Sequence, residues 1–94
     1  MDNLDIDYFK NILNQKLSEI EVDDWVRYIA VDKNGEVWCY NTQPFIIELD
    51  RYDGHWNIMC KGCDKCKFLF KLDYGYIDCW KDLCIEWNEI VKSQ

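Results

Sequence analysis

Trp25-Val26-Arg27-Tyr28-Ile29-Ala30-Val31-Asp32-Lys33-Asn34-Gly35-Glu36-Val37-Trp38-Cys39-Tyr40 sets the architecture of this chain. Trp25 to Val31 alternates and is rich in β-branched and aromatic side chains, which suit a pleated, half-buried surface. Asp32-Lys33-Asn34-Gly35 interrupts the run. Asn-Gly tolerates the positive φ angles of a tight hairpin, so the chain is expected to reverse here and return as a strand over Glu36 to Tyr40.

Downstream of the hairpin, Pro44 cannot donate to a ladder and belongs at a strand entry or edge. Phe45 to Leu49 reads as a third strand and His55 to Met59 as a fourth, separated by a loop with an Asp53-Gly54 turn. Cys60 to Lys65 is a polar turn. Cys66, Phe68, Phe70 and Leu72 then alternate with Lys67, Leu69, Lys71 and Asp73, the pattern of a strand with a basic outer face. From Asp78 the period changes: Trp80, Leu83, Cys84, Trp87, Ile90 and Val91 share one helical face, with Asp78 as a candidate N-cap.

Upstream, Ile6, Phe9, Leu13, Leu17 and Ile20 recur at three- and four-residue steps and predict a helix over Leu4 to Ile20, widened by Ile12. Asp2 or Asn3 could cap it. Short strands joined by short turns form antiparallel meanders. The expected fold class is α+β: an antiparallel meander sheet of about five short strands flanked by an N-terminal and a C-terminal helix, in a single domain over 1–94.

The chain has 94 residues, 18 acidic and 11 basic, and a net charge of −7, which argues against direct DNA or RNA binding because phosphates call for a cationic surface. Apolar stretches run three or four residues, so no membrane span is expected. The acidic start, Met1-Asp2-Asn3-Leu4-Asp5, is unlike a signal peptide, and a cytoplasmic protein is expected. The charge is also unevenly spread. Residues 1–24 hold seven acidic and two basic side chains, a net of −5, whereas residues 60–71 carry +3 from Lys61, Lys65, Lys67 and Lys71 against Asp64. The acidic end, with Asp23 and Asp24 at its exit, can complement a basic, nucleic-acid-handling protein surface; the plainer alternative is a solvated face.

Five Trp, six Tyr and four Phe form a second surplus. Trp38 and Tyr40 share one strand face, opposite Val37 and Cys39, and Trp56 stands alone beside the single histidine, His55. Such rings serve binding hot spots or stack on nucleotides when exposed, and otherwise fill a small core. The carboxylate pairs Asp23-Asp24, Asp50 with Asp53, and Asp73 with Asp78 sit in polar turns where solvation is the default. No phosphate loop, HExxH or GxSxG occurs, and an enzyme is not expected.

Cys60-x-x-Cys63-x-x-Cys66 is the sharpest chemical motif. Thiolates at this spacing can converge on one zinc ion, with a fourth ligand from Cys79, Cys84 or His55. The alternative is that the six cysteines, with Cys39 and Cys84 among them, act as small buried hydrophobes.

Trp25 to Pro44, with its Trp-Val-x-aromatic-Ile-Ala-x-Asp run and Asn-Gly turn, together with Trp56 and the late Trp80-Lys81-Asp82, resembles a loose group of small phage and prophage proteins. Ser-Leu usually follows the late element, where this chain has Leu83-Cys84, and the cysteine cluster is outside the shared pattern. The resemblance implies an accessory protein of a virus or mobile element acting in a bacterial cytoplasm; it carries no catalytic residues. Three functions are therefore expected as candidates. One is a protein that binds and inhibits a host defence or nucleic-acid-handling protein through Asp23, Asp24, Trp38, Tyr40 and Trp56. The second is a sponge that stacks a signalling nucleotide in an aromatic pocket, with Lys67, Lys71 or Arg51 on its phosphate, across a homo-oligomer interface. The third is a zinc module built on Cys60, Cys63, Cys66 and Cys79.

Overall fold

A computed structural model describes residues 3–49, 51, 53–58 and 64–87. Helix α1 spans Asn3–Leu17. It buries Leu13 and Leu17, with Ile6, Phe9 and Ile12 packed at its margin, and each fully buried leucine contributes about 2 kcal/mol. The helix stops a turn earlier than its apolar spacing predicts, and Ile20 is exposed. Ser18 begins the exit by donating its hydroxyl to Gln15 O at 2.6 Å. The carboxylates of Glu19, Glu21, Asp23 and Asp24 that follow would oppose the helix dipole if the helix continued.

Strands β1 (Tyr28–Val31) and β2 (Glu36–Tyr40) form the expected hairpin, with Tyr28 opposite Tyr40 and Val31 opposite Val37. Its turn is closed by Gly35 N donating to Asp32 O and Asp32 N donating to Glu36 O, while Asn34 Oδ1 accepts from Glu36 N. The positive φ falls at Gly35, +93°. Strands β3 (Phe45–Ile46) and β4 (Trp56–Asn57) are shorter than predicted and, among the described residues, pair with each other and not with the larger sheet. β5 covers Cys66–Lys71. A 3-10 turn follows at Trp80–Asp82, and then β6 at Cys84–Glu86.

The four-stranded antiparallel sheet has the order β5-β2-β1-β6. The meander is thus corrected, and so is the helical reading of Trp80 to Glu86. The central hairpin is flanked by two later strands instead of extending in sequence order, and Cys84–Glu86 is a strand paired to β1. Ile85 is the residue that the helical reading could not accommodate. It is 3% exposed and sits opposite Ile29, flanked by the less buried Cys84 and Glu86, which is the period of a strand. The outer edge of β1 would otherwise carry unsatisfied backbone groups. β6 and its flanks remove them, with Val31 N donating to Leu83 O and Trp87 N donating to Arg27 O. Ile90 and Val91, the rest of the predicted helix, lie outside the described residues.

β5 departs from strict alternation as well. Val37 pairs with Phe70 but Trp38 pairs with Phe68, so Leu69 is the extra residue of a β-bulge. Before the bulge, Cys66 and Phe68 stand on the face shared with Tyr40 and Trp38, and both are exposed. After it, Phe70 joins the Val37 face. That face carries Ile29, Val31, Val37, Cys39 and Ile85, which form one core with Leu13 and Leu17 of α1 and with Leu72, Ile77, Trp80 and Leu83. The opposite face carries Ala30 and Tyr40, both buried, and Glu36 and Trp38, both half-buried.

Among the described residues no helix is long and apolar enough to cross a membrane.

Candidate functional site

A groove of about 350 Å³ lies between β2 and the β3–β4 hairpin, lined by residues that include Asp32, Glu36, Trp38, Tyr40, His55 and Trp56. The three aromatic residues singled out in the sequence therefore meet in one place, although they come from two separate sheets. Strand alternation explains the β2 contribution: Glu36, Trp38 and Tyr40 face the groove because Val37 and Cys39 face the core.

The Trp38 indole is held at both ends. Its Nε1 donates to Glu36 Oε1 at 3.1 Å, and its ring meets Phe68 edge to face with centroids 5.7 Å apart. Phe68, 45% exposed, extends the aromatic surface beyond Trp38. Tyr40 is deeply buried, and burial pushes its phenol well above the ordinary range. Trp56 belongs to both the groove and the core: its Nε1 donates to Val31 O at 3.0 Å and its ring packs edge to face on Trp80.

The hairpin that forms the second wall is fastened through a buried carboxylate. Asp32, at the first position of the β1–β2 turn, is 3% exposed. Its Oδ1 accepts from Trp56 N at 3.0 Å, and its Oδ2 lies 3.2 Å from His55 Nδ1. Burial raises the Asp32 carboxyl above its ordinary value despite the opposing effects of the Trp56 N–H and His55; the Glu36 charge adds to the rise. Lys33 reinforces the attachment, with its N–H on Gly54 O and its ammonium 2.7 Å from Asp53 Oδ2. Sequence reading missed the Asp32–His55 pair. Twenty-three positions separate the two residues, and Asp32 looks like an ordinary turn aspartate. The available signal was one polar residue directly following three apolar strand positions.

Asp23 and Asp24 do not join this groove. Both are exposed in the segment after α1. Asp23 Oδ2 lies 3.4 Å from Lys67 Nζ, and Lys67 alternates with Cys66 and Phe68, which puts it on the other side of β5. The Asp24 carbonyl accepts from Arg27 Nη1. The acidic loop and the aromatic groove are thus two surfaces, and the groove has its own carboxylates.

The proposed metal ligands separate in a similar way. Cys60 and Cys63 lie outside the described residues. Cys66 opens on the groove, whereas Cys79 is buried in the core. Among the described residues no three His, Cys, Asp or Glu side chains are grouped to hold a metal ion.

The thiols divide by environment. Burial pushes Cys39 and Cys84 each up to about 11; Cys39 also hydrogen-bonds Lys67 O at 3.5 Å. Near pH 8 only about a thousandth of such thiols is ionised. Iodoacetamide is therefore expected to alkylate the exposed Cys66 well before Cys39 or Cys84, as mapped by peptide mass spectrometry. Equal rates at Cys39 and Cys66 would contradict the burial described above.

No family model matches the chain, and neither curated proteins nor solved structures give a match.

Proposed function

We propose that this protein is a non-enzymatic accessory protein of the phage type that binds and inhibits a host protein, with the groove at Trp38, Tyr40 and Trp56 as its main contact surface. The observation that carries the reading is the meeting of these rings with Asp32 and Glu36 in one groove. Large, rigid aromatics held by their own hydrogen bonds lose little freedom on binding, and this is what makes them effective anchors. The exposed Asp23 and Asp24 contribute at a distance, by steering a basic partner toward a chain of net charge −7.

The nucleotide alternative fits the groove less well. Among its described lining residues two carboxylates, Asp32 and Glu36, stand against one histidine, His55, which already pairs with Asp32, so the balance there opposes a phosphate. Lys67, one of the expected phosphate holders, stands on the other side of β5 beside Asp23.

The test is affinity capture from bacterial lysate with the tagged chain, its Trp38→Ala variant, and a variant reversing the charges of Asp23 and Asp24. The parent is expected to retain a discrete protein. Trp38→Ala is expected to weaken that capture about tenfold or more. Added salt and the charge reversal are expected to weaken it by a smaller factor. Undiminished capture by Trp38→Ala would remove the groove from the contact surface. Insensitivity to both salt and charge reversal would remove the steering role.

A further inference from the structure

We propose that the groove takes an arginine side chain, presented on a basic segment of the partner protein. The inference rests on the reading of the groove as the contact surface and adds the chemistry of what enters it.

Three features select that chemistry. First, the described lining holds two carboxylates, Asp32 and Glu36, and one basic side chain, His55, which is already 3.2 Å from Asp32, so that Glu36 is the carboxylate without a basic neighbour in the lining. Charge complementarity therefore asks for a cation. The Glu36 charge is the smallest of the effects that act on the buried Asp32 carboxyl, and His55 opposes it; an anionic ligand would add to the Glu36 side of that balance.

Second, the carboxylates are interleaved with fixed rings. Glu36 holds the Trp38 indole through Nε1, and Phe68 supports its ring from the side. A guanidinium is planar, stacks on aromatic faces, and donates in its own plane to carboxylates. An ammonium offers a point charge with stronger hydration and no face to stack. The alternation of ring and carboxylate along β2, with Glu36 and then Trp38, matches the first group better than the second.

Third, the Asp32 oxygens are already occupied by Trp56 N and His55. Asp32, 3% exposed, therefore contributes only charge, and Glu36, half-buried in the groove lining, is the carboxylate placed to accept from the guanidinium. Its side chain is the positioning group for Trp38 and the ionic partner of the ligand at once.

The test uses the full chain labelled with ¹⁵N at its indoles and three short peptides alternating glycine with arginine, citrulline or lysine. The arginine peptide is expected to shift the Trp38 and Trp56 indole signals. The citrulline peptide, equal in shape but uncharged, is expected to bind about tenfold more weakly or worse, and the lysine peptide severalfold more weakly. Glu36→Gln keeps an acceptor for Trp38 Nε1 and removes the charge; it is expected to weaken arginine-peptide binding about tenfold. Glu48→Gln, at an exposed carboxylate 3.7 Å from Lys81, is expected to leave binding unchanged. Thermal unfolding of Glu36→Gln confirms that any loss is not a loss of fold.

Equal binding of arginine and citrulline peptides, with Trp38 and Trp56 shifted, would overturn the cationic occupant and leave the groove as a contact surface. Arginine-peptide binding that leaves both indoles unmoved and disappears on replacing Asp23 and Asp24 with Asn would overturn the groove itself. Absence of arginine-peptide binding up to about 1 mM would overturn the arginine proposal, while the Trp38→Ala capture experiment continues to decide the groove.

Discussion

Gly35→Ala is expected to destabilise the protein by about 3 kcal/mol, a large fraction of the roughly 5–14 kcal/mol available to a chain of this length. Two effects combine. Gly35 has φ +93°, a region where an L-residue is strained by about 1–2 kcal/mol. A Cβ there would also meet Tyr74 O at 2.9 Å and Leu72 O at 3.2 Å. Both obstacles are backbone, so neither can rotate away. Leu72 N donates to Gly35 O at 2.8 Å, so pushing the segment outward would break the bond that docks it. Alanine lowers the entropy of the unfolded chain and recovers less than about 1 kcal/mol. Thermal unfolding should therefore show a midpoint lower by about 15 °C. Gly75→Ala is the control: nothing lies within 4 Å of its added Cβ, and its effect should stay within about 0.5 kcal/mol. A Gly35→Ala protein as stable as the control would mean that residues 72–74 do not pack on the turn.

That turn was also the most legible part of the fold. Asn34-Gly35 between two β-branched, aromatic runs has few other readings, and β2 begins and ends where the sequence places it. The helix was legible for the same kind of reason, since Ile6, Phe9, Leu13 and Leu17 recur at mixed three- and four-residue steps, which the helical period and not strand alternation brings to one face. The errors arose where local pattern and long-range pairing compete. Trp80, Leu83, Cys84 and Trp87 fit a helical stripe, but the free edge of β1 offers Cys84–Glu86 a ladder that a helix would leave unfilled. The bulge at Leu69 is equally invisible to period-two counting, because an extra residue is recognised only against the partner strand. It moves Phe68 from the predicted core to the rim of the groove.

The candidate site was legible one residue at a time. Trp38 and Tyr40 were assigned to a common face by alternation, and Trp56 stood out by isolation. Their convergence was not legible, because it depends on where a two-stranded hairpin docks. No periodicity encodes that docking; it depends on Asp32, a residue whose type suits a turn and whose burial shows only in three dimensions. Cys60 and Cys63 invited a metal reading from spacing alone, yet spacing cannot reveal that Cys66 and Cys79 face opposite sides of the sheet.

Asp32→Ala is expected to cost about 2–3 kcal/mol and to loosen the groove's second wall, since it leaves the Trp56 N–H and His55 without their acceptor. Asp32→Asn separates acceptor from charge. It retains an oxygen for Trp56 N and carries no charge into the buried site, so its loss at neutral pH should be smaller than that of alanine. The pH dependence follows from the direction of the Asp32 shift. Burial raises its carboxyl above the ordinary 3.8, so between the two values the folded protein holds more protons than the unfolded chain. The stability contributed by this group is complete below 3.8 and is lost as pH rises through the folded value. Asp53, drawn down by Lys33, acts in the opposite sense and loses its contribution as pH falls; it is present in both proteins and cancels in their difference. Parent stability minus that of Asp32→Asn, measured by urea unfolding across the acid range, should therefore fall with rising pH and level off once Asp32 is ionised. A difference that rises with pH would mean that Trp56 and His55 outweigh burial, and that the carboxylate, rather than the acid, is the form the fold selects.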